Sequence, residues 1–136
     1  MSYVLHYAPD NASLVIRLAL EQIGAPYRCA LVDRSQAAQR SDAYMALNPN
    51  GLIPTLETDQ GPIFETGAIL LWLADRHGGL GPAPDNAERA DFLKWLFFVS
   101  NTVHSALRML FYPEQFIGAD PIHQSTLRKN ATSALV

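Results

Sequence analysis

The sequence predicts an α/β domain of order β-α-β-α-β-β-α followed by the first helices of an all-α domain. Three observations carry this expectation. Short β-rich runs alternate with segments of helical periodicity from Tyr3 to about Gly78. A proline- and glycine-rich stretch, Leu80 to Pro84 (LGPAP), then breaks the chain. Beyond it the apolar residues recur only at helical spacing.

The elements follow in order. Tyr3 to Tyr7 is a β-rich run ended by Ala8-Pro9-Asp10. Ser13 or a neighbouring polar residue caps a helix that runs to Ile23 and stops at Gly24. Leu14, Val15, Ile16, Leu18, Ala19, Leu20 and Ile23 leave only Arg17 and Glu21 on its polar strip, so the helix is expected to lie mostly buried against a sheet. Tyr27 to Val32 is a second strand, and this spacing favours a right-handed parallel βαβ unit. Arg34 to Arg40 reads as a loop, and Ser41 to Leu47 as a short helix before Asn48-Pro49. Leu52–Thr58 and Pro62–Phe64 flank Asp59-Gln60-Gly61 and form a hairpin. Thr66 to Arg76 is a helix with His77 at its end and Gly78-Gly79 beyond. This order is the thioredoxin-like layout.

The expected division is a first domain over 1–79, a linker over 80–86 and an incomplete helical domain over 87–136. Asp85 and Glu88 stand at capping-box spacing before a long helix, Ala87 to Phe111. Phe92, Trp95, Leu96, Val99, Val103, Ala106 and Leu110 form its core stripe. Phe98 and Tyr112 interrupt the polar face, which fits either a cleft, a subunit contact or scattered exposed aromatics. Pro113 to Ala119 reads as a loop, and Pro121 starts a last helix. So apolar a helix needs partners, so the chain is expected to be a fragment or to have another subunit over that face.

Composition excludes several classes. Lys and Arg total 10 against 13 acidic residues, giving a net charge of −3 with no basic run, so no nucleic-acid footprint is present. Cys29 is the sole cysteine, which excludes a disulfide framework and a cysteine metal cluster; it is expected to be a small buried apolar residue. The four histidines, His6, His77, His104 and His123, share no metal-ligand spacing, and no metal site is expected. No apolar run is long enough for a membrane span, and the N-terminus lacks a signal-peptide pattern, so a cytoplasmic setting is expected.

Two features carry chemistry. Pro54 enters a strand, and an X-Pro bond is the one place where a cis peptide is cheap. With Ile53-Pro54 cis, the Ile53 N–H and C=O face outward and can pair with an extended peptide; the alternative is an edge-strand proline without a ligand. Glu65-Thr66 opens a helix, where free N–H groups and the helix dipole favour an anion. Thr66 adds a hydroxyl and Glu65 a carboxylate, so the pair fits an α-amino acid head group; the alternative is an ordinary cap.

Tyr3 to Leu20 (YVLHYAPDNASLVIRLAL), Asn48-Pro49-Asn50-Gly51-Leu52-Ile53-Pro54, Gly61, Phe64-Glu65-Thr66, Ala68-Ile69 and Leu73-Ala74 resemble, in order and spacing, the glutathione transferases of bacteria, nearest the beta-like branch. The resemblance implies a glutathione-binding thioredoxin-like domain, a homodimer to which Trp95–Val99 contribute, and conjugation of glutathione to apolar electrophiles, as in detoxification. Glutathione enters as co-substrate. Ile53 and Pro54 would align its cysteinyl backbone, and Glu65 and Thr66 would hold its γ-glutamyl end. The family's beta-like pattern places a cysteine where this chain has Ala12. Ser13 and Asn11 are then level as donors to the thiolate, with Tyr7 behind them. Leu52 stands where relatives often carry Lys or Gln, which leaves Arg40 or Gln39 for the glycyl carboxylate. Pro9, Asp10, Phe98, Arg108 and Tyr112 are candidates for the co-substrate pocket. The alternatives are a non-catalytic glutathione-binding or protein-interaction module, and a glutathione-dependent dehalogenase or ether-cleaving enzyme.

Overall fold

The computed structural model describes residues 2–135, and Met1 and Val136 lie outside them. The chain divides into two compact units, 1–89 and 90–136, so the expected linker over 80–86 falls within the first.

The first unit is built on a four-stranded sheet of order β2-β1-β3-β4. Strands β1 (Tyr3–Tyr7) and β2 (Tyr27–Leu31) pair in parallel around α1 (Ser13–Gln22), as the βαβ spacing predicts. Strands β3 (Thr55–Thr58) and β4 (Gly61–Phe64) form the expected antiparallel hairpin, and β3 runs antiparallel to β1. The short helix α2 (Asp42–Met45) precedes β3, and α3 (Thr66–His77) follows β4. The 34–40 segment is two 3₁₀ turns rather than an irregular loop, the first held by the Asp33 carboxylate accepting from Ser35 N–H.

Strand alternation sends Tyr3, Leu5 and Leu56 to one face of the sheet, where Ile16, Ala19 and Leu20 of α1 and Ile69 and Leu73 of α3 cover them. Each fully buried Leu or Ile here contributes roughly 1.5–3 kcal/mol of burial free energy. His6 points to the other face and meets the Tyr44 ring of α2 edge-on at 5.7 Å.

Two expectations of burial fail in this unit. Helix α1 is covered on one side only: Ile16 and Leu20 are sealed, whereas Leu14 and Leu18 are 61% and 58% exposed. The sheet and α3 can reach one face of the helix, and an apolar composition does not supply a cover for the second. Cys29 is exposed because β2 is an edge strand, paired only with β1.

The second unit begins one residue into α4 (Arg89–Phe97), which with a π-helical stretch (Phe98–Val103) and α5 (His104–Phe111) forms the predicted long helix. The expected capping box is absent: Asn86 Oδ1, not Asp85, accepts from the Glu88 N–H at 2.8 Å. The segment expected to be a loop at 113–119 contains α6 (Glu114–Ile117), and α7 (Pro121–Ser133) is capped by Asp120, whose carboxylate accepts from Ile122 N–H. The predicted core stripe is only partly covered. Ala106 is buried, but Trp95 is 55% exposed and Val99 54%. The π-helical stretch explains part of this, since its wider turn shifts the register on which the i, i+3, i+4 stripe was drawn. No helix among the described residues is long and apolar enough to cross a membrane.

Candidate functional site: one end of the four-stranded sheet

The register gathers three segments at one end of the sheet. His6 pairs with Thr55 and Thr55 with Phe64, in antiparallel sense. The chain beyond β1, the chain before β3 and the chain beyond β4 therefore emerge side by side. These are the turn from Ala8 to Ala12, the Leu52–Pro54 segment and the Glu65–Thr66 helix start.

The middle segment is the most elaborately built. Ile53-Pro54 is cis, as the sequence led us to expect. Asn48 is buried; its Oδ1 accepts from Asn50 N–H at 3.1 Å and its backbone carbonyl accepts from Gly51 N–H at 2.9 Å. Gly51 is required there for two reasons. Its φ is +60°, and a Cβ would lie 2.8 Å from Arg40 Nη1 and 2.9 Å from the Gln39 carbonyl oxygen. The Leu52 carbonyl accepts from Tyr44 Oη at 2.7 Å and from Asn48 Nδ2 at 2.8 Å. Neither the N–H nor the C=O of Ile53 has a partner among the described residues. They are open to an extended peptide.

The third segment is an open helix N-terminus. Glu65 is the N-cap residue at φ 72°, ψ 116°, and no side chain caps the helix. Ile69 N–H bonds the Glu65 carbonyl, leaving the N–H groups of Thr66, Gly67 and Ala68 without acceptors in the helix. A non-glycine residue at positive φ is uncommon and costs about 1–3 kcal/mol in sparsely populated regions. The exposed Glu65 carboxylate beside three free N–H groups can take an ammonium and a carboxylate together.

The first segment is less open. Ala12, not Ser13, is the N-cap of α1, and of the two expected caps it is the neighbouring polar residue, Asn11, whose side chain meets the helix start. Ser13 is 2% exposed. Its hydroxyl donates to the Ala8 carbonyl at 3.2 Å and accepts from the Ala8 N–H at 3.4 Å, tying the helix start to the end of β1. Asn11 Oδ1 accepts from Ser13 N–H at 3.0 Å, which leaves its Nδ2 donor without a partner among the described residues. Tyr7 packs its ring against the core cluster. Pro9 accepts from Arg34 Nη2 through its carbonyl at 2.8 Å, and Asp10 is exposed at φ 49°.

Arg40 stands beside the Asn50–Gly51 turn, with Nη1 at 3.4 Å from the Asn50 carbonyl, and Gln39 Oε1 is buried without a hydrogen-bond partner. The remaining sequence candidates lie on the second unit. Phe98 meets Trp95 edge-on at 5.7 Å, the Arg108 guanidinium lies over the Phe116 ring at 5.7 Å, and Tyr112 is exposed. No group of three or more His, Cys, Asp or Glu residues that could hold a metal ion is found among the described residues. Sequence reasoning passed over Tyr44 and gave Asn48 no structural task. A buried asparagine two residues before an Asn-Gly turn is the signal that could have found the second; the first has no local signal.

A family profile for the glutathione S-transferase N-terminal domain matches residues 2–75, more than half of the chain. The chain belongs to the glutathione S-transferase family. Glutathione S-transferase GST-4.5 of Xanthomonas campestris pv. campestris is 30% identical over 122 residues, covering 88% of this chain and 59% of that protein. Two solved structures are each 32% identical with a TM-score of 0.75, over 97% of this chain and 67% of theirs: a sphingomonad glutathione S-transferase complexed with glutathione, and a bacterial beta class glutathione S-transferase of Sphingomonas chungbukensis. These neighbours agree with the beta-like resemblance and with the thioredoxin-like fold. The chain spans less than two thirds of the length of the Xanthomonas relative.

Proposed function

We propose that this chain is the glutathione-binding part of a glutathione transferase that conjugates glutathione to apolar electrophiles. The observation that carries the reading is the meeting, at one sheet end, of an unpaired Ile53 backbone with an uncapped helix start led by Glu65. Ile53 would pair antiparallel with the cysteinyl residue. Pro54 would shape that edge, and Glu65 with Thr66 would take the γ-glutamyl ammonium and carboxylate. The cysteinyl sulfur would then face the turn after β1. There Asn11 Nδ2 is the better-placed donor to a thiolate, because the Ser13 hydroxyl is already engaged by Ala8. Stabilising the anion lowers the thiol from its ordinary value near ~8.5. Arg40, at the Gly51 turn, is the cation suited to the glycyl carboxylate. Phe98 and Tyr112 present exposed aromatic surface on the second unit, chemistry that suits an apolar co-substrate. A cytoplasmic homodimer completes the reading.

A specific observation keeps the second reading, a non-catalytic glutathione-binding module, in play. Alanine stands where the beta-like pattern has cysteine, and Ser13 is turned inward. A glutathione-affinity column followed by conjugation to a chloronitrobenzene separates the two. Retention with turnover is expected; retention without turnover supports the module, and passage through the column contradicts both.

A further inference from the structure

The Leu52–Ile53 peptide is held in an unusual way, and its two ends have different fates. Its carbonyl faces inward and receives two side-chain donors, Tyr44 Oη at 2.7 Å and Asn48 Nδ2 at 2.8 Å. Its N–H, belonging to Ile53, has no partner among the described residues. In a planar trans peptide the C=O and N–H point in opposite directions. Fixing the carbonyl inward with both lone pairs occupied therefore fixes the direction of the Ile53 N–H outward. Hydrogen bonds to a carbonyl also polarise the amide, making its N–H a stronger donor.

We propose that Tyr44, with Asn48, forms a carbonyl clamp that aims and polarises the Ile53 N–H for a ligand's peptide carbonyl. Tyr44 is thus a positioning residue that touches no ligand itself. This rests on the reading of the Ile53 edge as the glutathione backbone site.

The surroundings of Tyr44 are built for this task. Its single hydroxyl proton goes to Leu52, so Thr55 Oγ1, 3.0 Å away and fully buried, donates to the phenol oxygen in turn. The chain Thr55 → Tyr44 → Leu52 runs in one direction. Burial raises the Tyr44 phenol above its ordinary acidity range, which keeps it a donor throughout physiological pH. Tyr44 is only 5% exposed, and its ring rests against His6, whose Nε2 lies 2.7 Å from Glu57 Oε1. The Ser41 hydroxyl accepts from the Tyr44 N–H at 3.3 Å and fixes the helix turn that carries the ring.

The test uses the whole 136-residue chain and two variants, Y44F and T55V. Y44F removes one clamp donor while keeping the ring. T55V leaves the phenol in place and removes only the bond that polarises it. The first readout is the ¹H–¹⁵N resonance of the Ile53 amide without ligand. An upfield move of the amide proton is expected, larger in Y44F than in T55V, with the α1 and α3 amides unmoved. The second is the glutathione dissociation constant, expected to rise about three- to tenfold in Y44F and less in T55V, the size of one modest hydrogen bond. An unmoved Ile53 resonance in both variants overturns the clamp. So does unchanged glutathione affinity in Y44F when the wild type binds. If the wild type does not bind glutathione, the functional reading fails by itself, and the Ile53 resonance still decides the clamp. Should Y44F not fold, T55V carries both measurements with the same signs.

Discussion

The two ends of the candidate site are built on opposite principles. Around Ile53 the side chains face inward, and there and at the helix start beside Glu65 main-chain groups are left open. Asn48, Tyr44 and Thr55 are buried with their polar atoms engaged, and apart from the exposed Glu65 carboxylate and the Thr66 hydroxyl the donors and acceptors on offer belong to the backbone. In the turn after β1 the order is reversed. On the proposed reading a side chain must act there on the sulfur directly, and of the two leading candidates one is consumed internally by Ala8. Binding through the main chain tolerates changes of side chain, whereas stabilisation through a side chain does not. On the proposed reading, alanine in the cysteine's position leaves the Ile53 edge and the Glu65 helix start intact and alters only the sulfur end.

Breaking the peptide end should have the larger consequences. Glu65→Ala removes the proposed charged partner of the γ-glutamyl ammonium, and a charged hydrogen bond is worth roughly 1.5–3 kcal/mol. Glutathione affinity by calorimetry should fall about 10- to 100-fold; a change below about threefold would place the γ-glutamyl group elsewhere. Gly51→Ala puts a Cβ into the Arg40 and Gln39 contacts at positive φ. Unfolding in urea should show a loss of about 1–3 kcal/mol, and an unaltered midpoint would mean that the turn rearranges without penalty.

At the sulfur end the effects should be smaller and of two kinds. Asn11→Ala should raise the thiol pKa of bound glutathione towards ~8.5 and slow conjugation at neutral pH about tenfold, and should also cost about 1 kcal/mol of stability because the Ser13 N–H loses its acceptor. Ser13→Ala should affect stability alone. It removes the buried bonds to Ala8 and should cost about 1 kcal/mol of stability, while the acidity of the bound thiol holds. A rise in thiol pKa with Ser13→Ala, and none with Asn11→Ala, would exchange the two roles.

The same contrast governs what the sequence made legible. The cis Ile53-Pro54 bond and the helix start at Glu65-Thr66 could be read in advance because their geometry follows from local rules: proline at a strand entry, and a polar pair opening an apolar helical run. Gly61 at the hairpin and the parallel βαβ spacing were legible for the same reason. Ser13 misled because a serine before an apolar run reads as an N-cap, and only the placement of Ala8 beside it shows where its hydroxyl goes. Tyr44 was silent because its partners, Leu52 and Thr55, lie eight and eleven residues away. Helix α1 and Cys29 show the limit of composition. It states how much apolar surface an element carries, not on how many sides a neighbour stands.

The central claim is that binding and thiol activation reside in separate segments, and the pH dependence of glutathione affinity tests it most directly. In the wild type a depressed bound-thiol pKa should make binding tighten as pH rises from that value towards ~8.5, and level off above it. Asn11→Ala should match the wild type at low pH, where the bound thiol is protonated, and lose only the tightening. A uniform loss at every pH in Asn11→Ala, or a wild type whose affinity does not change with pH, would contradict the account.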